Sequence, residues 1–349
     1  MGSMARFKWV MTAAVAAAVA ASTGSSGAQD FYAGRTVQFI IGSAPGGGFD
    51  TQSRLIARHI GNSIPGRPSV VAQNMPGAGG IRAADYLYFA AAKDGTAVGM
   101  VDPGIYNSQV LGEPGIRFDT TKFTWVGRMV NNSPIVFTWH TSPIKSHKDL
   151  FDKQAFIAAS GPTPRLNYIL LNTVLKSKIK TILGYSGSGV AILALERGEI
   201  HGLSMPWPVL KSMKPDWVRE NKVIPILQTG SDTHPELRNV PRMIDLATSE
   251  EDKKLFEFFA LPSLLGRAVM APPGIPDQRR DELRTAFTRT MQDAAFLAEV
   301  QRSKFDLAPM TGAELENFIK KDAVFPPAVI ARAKEIREIY NRERKSGKK

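Results

Sequence analysis

The sequence predicts an α/β protein of two lobes, each a mostly parallel sheet flanked by helices. Three observations carry this. Strand-like apolar runs alternate with helical patterns along most of the chain, an order that right-handed crossovers turn into parallel sheets. The first run, residues 37–41, ends in Pro45-Gly46-Gly47-Gly48 and opens into a helical pattern, and the same strand–glycine–helix unit recurs downstream. The 349 residues are enough for two separate cores.

The N-terminus stands outside this pattern. Arg6 and Lys8 precede an apolar segment over 9–21, and Ser26-Gly27-Ala28 has the small-x-small form of a cleavage site. Residues 1–28 therefore read as a secretory signal peptide, with a mature chain beginning near Gln29. The formal net charge of +12 is scattered, with one concentration over 342–349. It forms no basic stripe and no nucleic-acid motif, so nucleic acid is not an expected partner, although the charge helps attract anions. Cysteine is absent, which excludes disulfides, thiol catalysis and cysteine-type zinc sites.

Taken in order, the first unit reads as a buried strand, a turn and a helix mouth. Gly46, Gly47 and Gly48 permit positive φ and close approach to the backbone. Phe49, Asp50 and Thr51 follow, and Leu55, Ile56, His59 and Ile60 then share one helical face, so Asp50 is expected as the N-cap. Free N–H groups and a positive dipole end suit a phosphate or a carboxylate. Phosphate signatures fail. Gly42 and Gly47 have P-loop spacing, but Gly48 replaces the lysine, and Gly46-x-Gly48 is followed by Thr51 where a dinucleotide fingerprint needs glycine. The next strand, 69–74, ends in Gln73-Asn74, with no acid to hold a ribose.

A second glycine turn, Asn74-Met75-Pro76-Gly77-Ala78-Gly79-Gly80, leads into a helix over 81–89, and Lys93-Asp94-Gly95-Thr96 precedes a strand at 97–101. Two glycine mouths at the carboxyl edge of one sheet mark a ligand crevice. Residues 123–130 and 135–139 read as strands joined by a polar turn, the passage into a second lobe. The strand 155–159 runs into Ser160-Gly161-Pro162-Thr163-Pro164 and a helix from Arg165, a mouth on the opposing lobe. Ser188 follows in a further glycine turn at 184–189, and Ser204 and Trp207 end a later strand as a plausible cleft wall. Residues 223–228 are expected to lead back to the first lobe, with the helices near 313–321 and 328–345 packed outside it.

At these residues the chain resembles a known family. Phe39-Ile40-Ile41-Gly42-Ser43-Ala44-Pro45-Gly46-Gly47-Gly48-Phe49-Asp50, then Asn74-Met75-Pro76-Gly77-Ala78-Gly79-Gly80, then Lys93-Asp94-Gly95-Thr96, is similar to the tripartite tricarboxylate transporter receptors, also called the Bug family. The resemblance runs from about residue 30 to about residue 325. It implies a two-lobed type II periplasmic binding protein fold, a periplasmic location, a small organic carboxylate ligand, no cofactor or metal, and integral membrane transporter subunits as partners. The expected division is a first lobe of 29–124 and 225–349 and a second of 125–224, in a monomer. The chain departs from the family's pattern at Pro162-Thr163-Pro164-Arg165. That departure puts Arg165 forward as a guanidinium able to hold a carboxylate with two parallel bonds.

Two other classes compete. A secreted α/β hydrolase needs Gly-x-Ser-x-Gly, which Gly184-Tyr185-Ser186-Gly187-Ser188 misses by one residue. None of the five histidines forms His-Glu-x-x-His, and His59 lies on an apolar face. A periplasmic sensor that docks to a signalling protein has the same binding site. The sequence reading is a non-enzymatic receptor whose amide donors from residues 46–51 and Ala78–Gly79 meet donors from residues 160–163 across a hinged cleft.

Overall fold

A computed structural model describes residues 30–132, 134–159, 162–185, 188–303 and 305–346. In it the chain opens with β1 (Thr36–Ile41), α1 (Gly48–Ser63), β2 (Ser69–Asn74), β3 (Ala97–Met100), α2 (Gly104–Val110) and β4 (Thr124–Arg128). It continues with β5 (Pro134–Trp139), β6 (Ala155–Ala158), α3 (Pro162–Leu175), β7 (Ile179–Ile182), β8 (Gly202–Pro206) and β9 (Val223–Gln228). The last third holds α4 (Glu250–Leu265), β10 (Ala268–Ala271), β11 (Met310–Thr311) and α5 (Pro327–Ser346), with shorter helices between.

Two sheets result. The first has the order β11-β4-β10-β3-β1-β2 and the second β7-β6-β8-β5-β9. β1 is their clearest sequence signature: Phe39, Ile40 and Ile41 are fully buried, and each such side chain contributes about 1.5–3 kcal/mol. Leu55, Ile56 and Ile60 of α1 join Phe39 and Ile41 in one core cluster, as the 3.6-residue period requires.

The sheets are mixed where mostly parallel ones were expected. Parallel pairing joins β2, β1 and β3, and again β7, β6 and β8. β10 runs antiparallel to β3 and β4, and β5 runs antiparallel to β8 and β9. The cause is connectivity, because β5 and β10 both follow crossings between the sheets and enter from the opposite direction.

The expected lobe boundaries shift accordingly. Residues 124–128 lie in the first sheet, because β4 pairs with β10, so the chain passes to the second sheet only after Arg128. Residues 223–228 stay in the second sheet, where β9 pairs with β5. The final helix does not pack outside the first lobe. Val329, Ala333, Ile336 and Tyr340 of α5 share a core with Leu255, Phe256 and Phe259 of α4 and with Tyr168, Ile169 and Leu171 of α3. The two expected crossings thus gain a third near Phe325, which packs against cores of both halves.

The crossing from α4 into β10 turns on Gly266, at φ +51°. A Cβ there would stand 2.0 Å from the Val130 carbonyl oxygen. The two crossing segments are also stitched together, Met129 N–H donating to Arg267 O and Arg267 N–H to Val130 O, both at 2.9 Å.

Candidate functional site: a cleft between the two halves

Two adjoining cavities lie against the glycine loops. The smaller, about 340 Å³, is walled by Gly42, Ser43, Ala44 and Phe49 on one side and Pro76–Gly80 on the other. The larger, about 440 Å³, reaches from Ala78 and Gly79 across α2 to Thr163, Leu166 and Asn167 of α3 and to Arg337, Tyr340 and Arg344 of α5. Ala78, Gly79 and Asp102 border both. These volumes suit a small organic ligand.

The first glycine loop is built by Asp50, though not as the expected cap. Gly47 is the N-cap of α1, in extended conformation, and Asp50 falls within the first turn. Its carboxylate accepts from Gly46 N–H at 2.9 Å, Asn74 Nδ2 at 2.7 Å and Arg54 Nε at 3.0 Å. Asn74 Nδ2 also donates to Ser43 O at 3.0 Å, so one amide ties the two glycine loops together. Burial alone would raise the Asp50 carboxyl; the bonds from Gly46, Asn74 and Arg54 outweigh it and hold the group below its ordinary range. The side chain lies near the molecular surface but is covered by its own loop and helix. Asp50 is therefore a latch for the loop, and Gly46 spends its amide on it. Gly48, Phe49 and Asp50 open the helix, and their N–H groups have no carbonyl four residues back to bond.

The other predicted contacts divide. Phe49, Ala78, Gly79 and Thr163 border the cavities. Gly46, Gly47 and Gly48 are exposed on the loop between Ala44 and Phe49. Thr51 is turned back on the helix, its N–H and Oγ1 both bonded to Gly47 O, at 2.9 and 3.1 Å. Arg165 is not presented to a ligand. Its Nη2 pairs with Glu343 at 3.0 Å, and its guanidinium lies 5.1 Å from the Tyr340 ring. Ser204 is buried within the second half. Trp207 is a core tryptophan whose Nε1 donates to Glu236 Oε2 at 2.8 Å. Ser160 and Gly161 lie outside the described residues, as does the side chain of Ser188.

Sequence reasoning missed several cleft residues. Asp102, just after β3, accepts from Gly104 N–H at 2.8 Å. It is open to solvent through the cleft yet enclosed by protein on most sides, and this burial raises its carboxyl despite the Gly104 bond and the charge of Arg267. Burial likewise pushes the Arg267 guanidinium down to about 10, with Asp102 opposing, so it stays charged at neutral pH. Arg267 Nε donates to Gln52 Oε1 at 2.6 Å, and its Cζ stands 4.6 Å from the Phe49 ring. Arg337 pairs with Glu113 at 2.7 Å on the cleft wall. Asn107 and Asn167 line the larger cavity, and the Oδ1 of each is buried without a partner. No local motif marks any of these residues. The one signal was the apolar stripe of the last helix, which shows that it packs but not where.

Among the described residues no group of three or more His, Asp or Glu side chains is placed to hold a metal ion. No described helix is long and apolar enough to cross a membrane. His59 is paired with Glu299 at 2.7 Å, beside the Phe296 ring.

No family profile matches the chain. It is 29% identical over 280 residues to Protein BugT of Bordetella pertussis, covering 76% of this chain and 77% of that one. Its fold matches a TctC solute-binding protein from Polaromonas with a TM-score of 0.64 at 15% identity, over 87% of this chain and 98% of the other. The chain is similar to the Bug/TctC substrate-binding receptors. A further solved structure, R. palustris Rpa4515 with adipate, matches this chain at a TM-score of 0.59 and 20% identity, over 88% and 97% of the two chains. The two-sheet fold is thus one that this chain shares with these proteins.

Proposed function

We propose that this receptor captures a small organic carboxylate between its two halves and delivers it to an integral membrane transporter of the tripartite tricarboxylate type. One observation carries the reading: the slot between Ser43–Phe49 and Pro76–Gly80 adjoins the first turn of α1 and opens into the larger cleft. Free first-turn N–H groups, a positive dipole end and the nearby Arg267 charge favour an anion there. The adipate-bound neighbour supports a carboxylate over other anions. Contacts are assigned to Gly47, Gly48, Phe49, Ala78 and Gly79 on one side and to the turn before α3, including Thr163, on the other. Hinge closure at the crossings brings the sides together. The receptor acts as a monomer in the periplasm, exported by a signal peptide over residues 1–28. N-terminal sequencing of the periplasmic protein should start near Gln29; an intact N-terminus held in the membrane would contradict export with cleavage. No turnover accompanies binding.

The test is a thermal-shift comparison on protein unfolded and refolded to strip carried-over ligand. Mono-, di- and tricarboxylates are screened, and each hit is compared with its neutral amide. A ligand at about a hundred times its Kd stabilises the fold by about 2.7 kcal/mol, and Tm moves about 2–4 °C per kcal/mol. The acid should shift Tm by several degrees and the amide should not, because the amide brings donors to a site already lined with donors. Equal shifts would sink the carboxylate reading.

A further inference from the structure

We propose that the captured acid carries a protonated amine beside its carboxylate, and that Asp102 and Asn107 receive that ammonium. The inference rests on the carboxylate reading above and narrows it to a class of ligand.

Asp102 stands where the two cavities meet, bordering both together with Ala78 and Gly79. Asp102 is exposed to solvent in the open cleft, which favours the ionised carboxylate against the burial around it; that charge at the margin of a carboxylate slot repels a plain acid, and like charges brought together at an interface are costly. A ligand with a cation next to its carboxylate turns that repulsion into a pairing. The protein does not supply the cation by contact. Among the described residues Asp102 has no ion pair, and its carboxylate accepts only from Gly104 N–H. Arg267 acts on it through space, while its own Nε is committed to Gln52.

Asn107 is an independent second observation. It is 9% exposed, and its Nδ2 donates to the Phe258 carbonyl at 2.9 Å. That bond fixes the amide's orientation and leaves Oδ1 as an acceptor, buried and unpartnered, in a residue that lines the same cavity. Asn167, 3% exposed, lines it too with an unpartnered Oδ1. Buried acceptors left unpaired destabilise the protein and favour a ligand that brings donors. A hydroxyl brings one donor and no charge, whereas an ammonium brings three donors and the charge Asp102 lacks.

The test is calorimetric titration of ligand-stripped protein with matched pairs of equal chain length: propionate and alanine, succinate and aspartate, glutarate and glutamate, with malate as the hydroxyl control. At least one amino acid should bind at least about tenfold more tightly than its unsubstituted partner, and more tightly than malate. Asp102→Asn, which keeps the size and an acceptor for Gly104, should bring that ratio close to one without weakening the plain acid. The wild-type ratios decide by themselves if the variant does not fold. A plain or hydroxy acid binding as tightly as every amino acid would overturn the ammonium and leave the carboxylate reading standing. So would an amino-acid preference that survives Asp102→Asn. Binding by no member of any pair would overturn both.

Discussion

Asp50 acts on its own loop, and pH exposes that role. Three donors hold its carboxyl below the ordinary value of 3.8. A carboxyl depressed by folding adds stability that is fully present above its unfolded value and lost as pH falls through the lower, folded value. The protein should therefore lose part of its stability below about pH 4, measured as Tm against pH. Asp50→Asn keeps an acceptor for Gly46 but no charge, so the gap between wild type and variant should close as the pH drops. A gap independent of pH would remove the latch. Arg165 yields a second test. Its partners are Glu343 and Tyr340, so Arg165→Ala should cost about 1–2 kcal/mol in denaturant unfolding while changing affinity for the bound acid less than about threefold. A large affinity loss at unchanged stability would return Arg165 to the ligand. At this scale the glycines were legible, because a turn needing positive φ selects them locally. Asp102, Asn107 and Arg344 were not, because they come from two distant segments, 102–107 and the end of α5, that only the completed fold brings together.

At the scale of elements, the two glycine loops and α5 shape the cleft together. Gly80 sits at φ +95°, where a Cβ would stand 3.1 Å from Asp102 N, so the second loop is pressed against the start of the segment carrying Asp102. The strand–glycine–helix units could be read in advance because period and turn chemistry are local signals. The placement of α5 could not: its apolar stripe fits any apolar surface, and the choice of α3 and α4 is tertiary. The C-terminal turns of α5 supply Glu343 to Arg165 and Arg344 to the cleft wall. Deleting 342–349 should lower Tm by several degrees, at about 2–4 °C per kcal/mol, and weaken acid binding roughly fivefold, on the order of 1 kcal/mol. Deleting 347–349 alone should do neither. Equal behaviour of the two truncations would remove α5 from the site.

For the whole molecule, the proposed capture of a ligand depends on crossings that would let the two sheets move as units. The sequence showed two lobes but misplaced β4 and β9, because a strand's sheet is set by its partner and not by its own residues. Gly266 is where the crossing is tightest. Gly266→Ala places a Cβ against the Val130 carbonyl at a left-handed φ, and should cost at least about 2 kcal/mol in unfolding free energy; a neutral effect would mean that the crossing is slack. The central claim, an anion held by the glycine loops between the halves, is tested most directly by an experimental structure of the ligand-stripped protein loaded with its best-binding acid. A carboxylate should lie in the slot between Ser43–Phe49 and Pro76–Gly80, with loop N–H groups within about 3.2 Å of its oxygens and residues of α3 closed over its far side. An acid bound outside that slot, or one seated there by its neutral end, would contradict it.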